Sequence, residues 1–169
     1  MIDTKNPVFT IERSFDAPRA LLWKAWTTPE MMVQWFGPKG FTIFKPTMDF
    51  RVGRSYHYGM KSSDGHEVWG KSFYKAIDAP KHLGYVDCFA DAEGNIARHP
   101  LSPNWPRELM TDIDFGEEGN GTKLIVRWVP MNATPEEIKT FTDSMDGMTQ
   151  GWSGTFDNLA AFLQTAKAA

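Results

Sequence analysis

The sequence predicts an α+β protein: a curved antiparallel sheet of about seven strands gripping one long C-terminal helix, with two short helices after the first strand. Three observations carry this. Between residues 41 and 129, short apolar and β-branched runs are separated by turn signals at 63–65, 79–81 and 116–121, as in strands joined by hairpins. Beyond Thr134, apolar residues recur at Ile138, Phe141, Met145, Met148, Trp152, Phe156, Leu159 and Leu163. Those steps of three and four draw a single helical stripe. Between the first strand and the rest lies a block with Trp23, Trp26 and Trp35, punctuated by Pro18, Pro29 and Pro38.

Each element follows from local chemistry. Residues 8–15 mix β-branched and aromatic side chains and read as a strand, stopped by Asp16-Ala17-Pro18. Asp16 is the candidate cap of the first helix, with Pro18 in its first turn. Leu22, Trp23 and Trp26 share one face of that helix. Thr28 and Pro29 supply the N-cap and first position of the second helix, which Gly37-Pro38-Lys39-Gly40 ends. Residues 41–50 form a strand in which Pro46 implies an edge or a bulge. Residues 54–60 form the next, with Tyr56, Tyr58 and Met60 on one face and His57 on the other. Residues 66–77 and 83–89 are further strands, and 90–104 reads as an extended loop. In the strand 109–115, Leu109, Thr111, Ile113 and Phe115 point inward, so Asp112 and Asp114 lie on a solvated face. Residues 122–129 return as the last strand. Thr134, Pro135 and Glu137 make a capping box for the long helix. Gly147, Gly151 and Gly154 each cost up to about 1 kcal/mol relative to Ala, so a kink or break is expected near Gly147.

Composition bounds the function. A chain of 169 residues suits one domain spanning 1–169, and a domain of that size buries roughly 70% of its unfolded surface. The single cysteine, Cys88, excludes an internal disulfide and a cysteine-based zinc cluster, and reads as a small core hydrophobe. The net charge of -3 with no basic stripe argues against nucleic acid. No run of about 18 apolar residues is present, so no membrane span is expected. Residues 1–7 lack the apolar run of a secretory signal, which makes the cytoplasm the expected location and leaves Asn120-Gly121-Thr122 as a hairpin turn.

Chemical motifs are sparse. No two of His57, His66, His82 and His99 stand at metal-ligand spacing, and neither a phosphate-binding glycine loop nor a nucleophile elbow occurs. No metal, cofactor or catalytic residue is therefore expected. Aromatic residues make up 14% of the chain, with seven Trp and twelve Phe. Trp35, Tyr58, Trp69, Phe73, Trp128, Met145, Met148 and Trp152 are the candidates to line a space between sheet and helix. There, indoles would stack on a flat apolar ligand and a tyrosine would fix one polar group.

Several motifs together carry a resemblance over nearly the whole chain. They are Phe15-Asp16-Ala17-Pro18 with Trp23, then Trp35-Phe36-Gly37-Pro38-Lys39-Gly40-Phe41, and Asp49-Phe50-Arg51-Val52-Gly53 with Met60. Pro80-Lys81-His82-Leu83, Gly121-Thr122 and the segment 151–159 complete the set. In this order the chain resembles the Bet v 1-like (START-like, SRPBCC) superfamily, and within it the activator of Hsp90 ATPase homologue 1-like domains. The resemblance implies a helix-grip fold with an internal cavity. It departs at Arg54, where a second Gly is common, and at Ser72 and Ala76, where Gly and Glu are frequent. The function it implies first is binding of a small hydrophobic molecule such as a lipid or polyketide. A cyclase or dehydratase using the same cavity comes second, and would be raised by a buried carboxylate or histidine facing the cavity near a tyrosine. A chaperone-associated interaction module comes last, because the chain has no room for the additional domain of the eukaryotic co-chaperones. A homodimer is compatible with the group.

Overall fold

A computed structural model describes residues 5–168, so Met1 to Thr4 of the segment read for a signal lie outside it. The chain runs β1 (Phe9–Phe15), α1 (Arg19–Thr27), α2 (Pro29–Met32), β2 (Phe41–Met48), β3 (Ser55–Ser62), β4 (Glu67–Asp78), β5 (His82–Ala90), β6 (Glu108–Glu118), β7 (Gly121–Met131), α3 (Pro135–Asp143) and α4 (Met145–Ala168). The seven strands form one antiparallel sheet in the order β1-β7-β6-β5-β4-β3-β2. Strands β2 to β7 are sequential hairpins, while β1 pairs with β7 from Phe9↔Trp128 to Phe15↔Thr122. Because β1 and β2 sit at opposite edges, the segment between them must cross one end of the sheet. The helices α1 and α2 are that crossing.

The sheet bends where its register slips, between Phe44 and Thr47 against β3 and between Tyr74 and Ala76 against β5. Extra residues at such bulges sharpen the local twist. The first slip contains Lys45, at φ 49, and Pro46, which also blunts the exposed edge strand β2. The concave face holds α4, whose stripe of Met148, Trp152, Phe156, Leu159 and Leu163 is buried against Ile113, Phe115, Leu124 and Val126. Each fully buried side chain of this kind contributes about 1.5–3 kcal/mol. Under the crossing helices, Leu22 and Trp26 of α1 join Trp35, whose Nε1 donates to the Ala25 carbonyl at 3.1 Å.

Three local expectations change. Asp16 does not cap α1: Pro18 occupies the N-cap without a side-chain bond, and Asp16 instead accepts from Lys167 through its carbonyl at 2.8 Å. The Thr134 hydroxyl accepts from the Glu137 amide at 3.2 Å, but the Glu137 carboxylate turns to Arg98 at 3.5 Å, so the capping box is only half closed. The C-terminal helix does break, but at Ser144, three residues before the expected Gly147. The Ser144 amide finishes α3 on the Phe141 carbonyl, and its own carbonyl accepts from Met148 to start α4. Gly147 lies inside the new helix.

On the convex face, Asp112 and Asp114 meet the two nitrogens of His82 at 3.1 and 2.8 Å, and Asp114 also accepts from Arg127 at 2.7 Å. Partial burial pushes the Asp114 carboxyl up, but these two donors outweigh it and hold it below its ordinary value. The pair is thus outside, as the alternation requires, but bridged and not freely solvated. No helix among the described residues is long and apolar enough to cross a membrane.

Candidate functional site: an aromatic cavity between sheet and helix

The concave face and α4 do not close completely on each other. They leave a cavity of about 260 Å³ bordered by β3 to β7, the 36–38 segment, the β5–β6 connection and α4. Gly151 of α4 stands exposed at its rim, where an added Cβ would meet nothing within 4 Å. Opposite, Gly70 of β4 lets the Tyr58 ring lie across the strand: a Cβ there would stand 2.7 Å from the Tyr58 hydroxyl oxygen. Gly70→Ala is therefore expected to displace the Tyr58 ring and cost about 1–3 kcal/mol, measured by urea unfolding; an unchanged midpoint would show that the ring is free to move.

Of the eight residues expected at a site, five border the cavity: Tyr58, Trp69, Trp128, Met148 and Trp152. The ring of Trp69 is committed elsewhere, stacked on His57 at 5.0 Å and edge-on to Phe44 at 5.0 Å. Trp35, Phe73 and Met145 do not border it. Trp35 is sealed at 2% exposure in the packing of α1, because its indole is fixed to the α1 backbone. Phe73 lies on the convex face, opposite Val86 and under the Lys71 ammonium. Met145 packs at the start of α4, one turn before Met148.

The β5–β6 connection contributes what periodicity could not show. Its edge pairs back on β5 through Ala90↔Ile96, and Asp91 accepts from His57 at 2.9 Å. The remainder brings His99, Trp105 and Arg107 to the cavity. His99 packs on Phe89 at 4.7 Å and Trp105 on Phe141 at 5.9 Å, and Arg98 ties the connection to α3. Desolvation lowers the His99 pKa, which favours its neutral form.

The polar centre of the cavity is Asp87 of β5. Register places it between Ser72 of β4 and Leu109 of β6 on the concave face. The Ser72 hydroxyl donates to Asp87 Oδ1 at 3.2 Å. The carboxyl is deep in the molecule, yet part of its surface faces the open cavity, so by area it is only half-buried. Burial pushes its pKa up from 3.8 to about 7, against the opposing hydrogen bonds from Ser72 and the Cys88 amide. Its charge in turn helps raise the phenols of Tyr58 and Tyr85, although burial is the larger cause for both. The Cys88 thiol is pushed up to about 12, mainly by burial, which makes it inert as a nucleophile.

The hydroxyls and indoles differ in access. Tyr58 is 4% exposed and its hydroxyl makes no hydrogen bond among the described residues. Unlike the Tyr56 hydroxyl it is not sealed in, so it opens onto the cavity. The Trp128 and Trp152 nitrogens border the same region but are sealed without partners. Each such orphan donor costs about 1–3 kcal/mol. One signal for Asp87 was present in the sequence: it is the single charged residue in the apolar run Leu83-Gly84-Tyr85-Val86-Asp87-Cys88-Phe89.

The family model described as Activator of Hsp90 ATPase homolog 1-like protein matches residues 16–164. Among solved structures, a protein from Arthrobacter aurescens is 25% identical, with 98% of this chain and 90% of that one covered and a TM-score of 0.79. Protein Ms6760 from Mycobacterium smegmatis is 23% identical over 96% and 94% of the two chains, with a TM-score of 0.77. The protein of the same family from Silicibacter pomeroyi is 17% identical over 95% and 99%, with a TM-score of 0.71. These likenesses establish the helix-grip fold. No curated protein matches the chain.

Proposed function

Because the chain belongs to the Activator of Hsp90 ATPase homolog 1-like family, whose helix-grip fold here encloses open space, we propose that it binds a small apolar or aromatic molecule between the sheet and α4. The supporting observation is a cavity of about 260 Å³ walled by rings instead of filled by them. A dry cavity of about 150 Å³ accepts benzene, so a ligand of one or two fused rings is the matching size. The faces of Trp128 and Trp152 supply stacking surface. The chaperone role in the family's name is set aside, since the feature of this chain that calls for an occupant is internal.

Gly151→Leu tests this reading without weakening the protein. Leucine restores about 1 kcal/mol of helix propensity and places a bulky side chain at the exposed rim of the cavity, where Gly151 leaves room for it. The expected result is an unchanged or higher melting temperature together with at least about tenfold weaker binding of naphthalene-sized probes, read by tryptophan quenching. Absence of binding across an apolar panel by the wild type would remove the proposal.

A further inference from the structure

We propose that the ligand of this cavity is a flat ketone of one or two rings, and that Asp87 and Tyr58 together enolise it. This adds a reaction to the binding function above and rests on it. The two groups have complementary roles and the same address. Asp87 offers a carboxyl to the cavity, held in orientation by the Ser72 hydroxyl at 3.2 Å. Tyr58 offers a hydroxyl with no partner, on a side chain 96% of whose surface is buried (4% exposed). Its oxygen end lies over Gly70. Gly70 pairs with Phe89, and Asp87 is the next residue along β5 on that same face. Two small residues, Gly70 and Ser72, thus clear the strand that separates the phenol from the carboxyl.

The step balances without any added reagent. Asp87 carboxylate takes the proton from the carbon beside the ketone carbonyl. The C–H electron pair becomes the new C=C bond, and the carbonyl π pair moves onto oxygen, where the Tyr58 O–H donates a hydrogen bond. The protonated Asp87, which is only half-buried, gives that proton to water at the open side of the cavity and takes a solvent hydrogen in its place, then delivers it to the same carbon. Delivery of the original proton to the far end of a conjugated system is the alternative outcome. The net change is exchange of an α-hydrogen with solvent in the first case and a shifted double bond in the second.

The electrostatic setting suits both roles. A base is most effective when its pKa lies near the working pH, and burial brings the Asp87 carboxyl to about 7. A donor to a developing oxyanion must keep its proton, and burial first, then the Asp87 charge, holds the Tyr58 phenol well above its ordinary value. The other groups facing this region do not compete for the proton. Tyr85 of β5 and Cys88 remain protonated. The β5–β6 connection brings neutral His99 and Arg107. Strands β6 and β7 bring Leu109 and Trp128, and α4 brings Met148, Trp152 and Thr155, none of these five ionisable.

The test uses α-tetralone, a bicyclic aromatic ketone, in heavy water. Proton NMR follows loss of its α-protons, and tryptophan quenching follows binding. The wild type is expected to accelerate exchange at least about 100-fold over buffer, with a rate that rises as pH passes through about 7 and then levels. Asp87→Asn should lose at least about 100-fold of that acceleration while binding stays within about threefold, and Tyr58→Phe should lose about tenfold or more. The proposal is overturned if the ketone binds and the wild type exchanges it no faster than buffer, if Asp87→Asn exchanges as fast as the wild type, or if the rate is flat with pH; the wild-type pH profile decides even where a variant fails to fold. If other apolar probes bind and α-tetralone does not, enolisation falls and the binding function stands. If no probe binds, both fall.

Discussion

Asp87→Asn is expected to make the protein more stable at pH 8 and to leave it nearly unchanged near pH 4, the reverse of the usual loss on removing a hydrogen-bonded carboxylate. The sign follows from linkage. Folding raises the Asp87 pKa from 3.8 to about 7, so between those values the folded state holds a proton that the unfolded state has released. Stability must then fall as pH rises across that window, and level off above it. Every tenfold change in proton affinity between the two states is worth about 1.36 kcal/mol in the fully buried limit. Partial access through the cavity reduces this, so the variant should gain roughly 2–4 kcal/mol at pH 8. Asparagine keeps an acceptor for Ser72 and carries no charge to desolvate. Urea midpoints of both proteins at pH 4, 6 and 8 give the result; a difference that does not widen with pH would mean that Asp87 titrates as an ordinary surface carboxylate. Such a stability gain, beside a loss of proton-transfer activity, is the trade expected of a functional group placed in an unfavourable setting.

The fold was legible because its signals are local and repeated. Alternation in β6 put Leu109, Thr111, Ile113 and Phe115 inward, and all four are buried. Pro46 announced the edge strand and its slipped register. The break in the C-terminal helix was misplaced for a physical reason. Glycine inside a helix costs at most about 1 kcal/mol, which packing of the Met148–Trp152–Phe156 stripe easily covers. A serine able to end one helix and start the next decides the boundary instead. The site was less legible than the fold. Trp128, Met148 and Trp152 could be placed from helix and strand periodicity, whereas Trp69 and Phe73 share a strand face with Glu67, Lys71 and Lys75 while the other face carries Gly70, Ser72 and Tyr74, so that neither face stands out as the apolar one. Residues of the β5–β6 connection carry no period at all. Asp87 was visible as a lone charge, but its meaning depends on Tyr58 and Ser72, which only the pairing of three strands brings beside it.

Trp152→Ala should cost about 3–5 kcal/mol, one of the largest losses available to a single truncation here, and the mechanism can be separated with Trp152→Phe. Trp152 is 7% exposed. Its ring stacks on Trp26 at 6.1 Å and meets Trp128 and Phe156 edge-on or tilted, both at 5.4 Å. It therefore joins the packed crossing helices, the last strand and α4 at one point. Alanine removes all three contacts and merges the vacated volume with the existing cavity, so the surroundings have little to collapse onto. One effect runs the other way: the sealed Nε1 without an acceptor vanishes with the indole, and its removal returns about 1 kcal/mol or more. Phenylalanine keeps most of the ring contacts and also removes the orphan donor. It should therefore fall within about 1 kcal/mol of the wild type, and a loss from Trp152→Phe comparable to that from alanine would show that the indole nitrogen has an acceptor in solution. The same pair reports on the cavity. The alanine protein, with its larger space, should shift binding preference from two-ring to three-ring aromatic probes, while the phenylalanine protein should keep the wild-type order. An unchanged preference in Trp152→Ala would place the ligand away from α4 and against the β5–β6 connection.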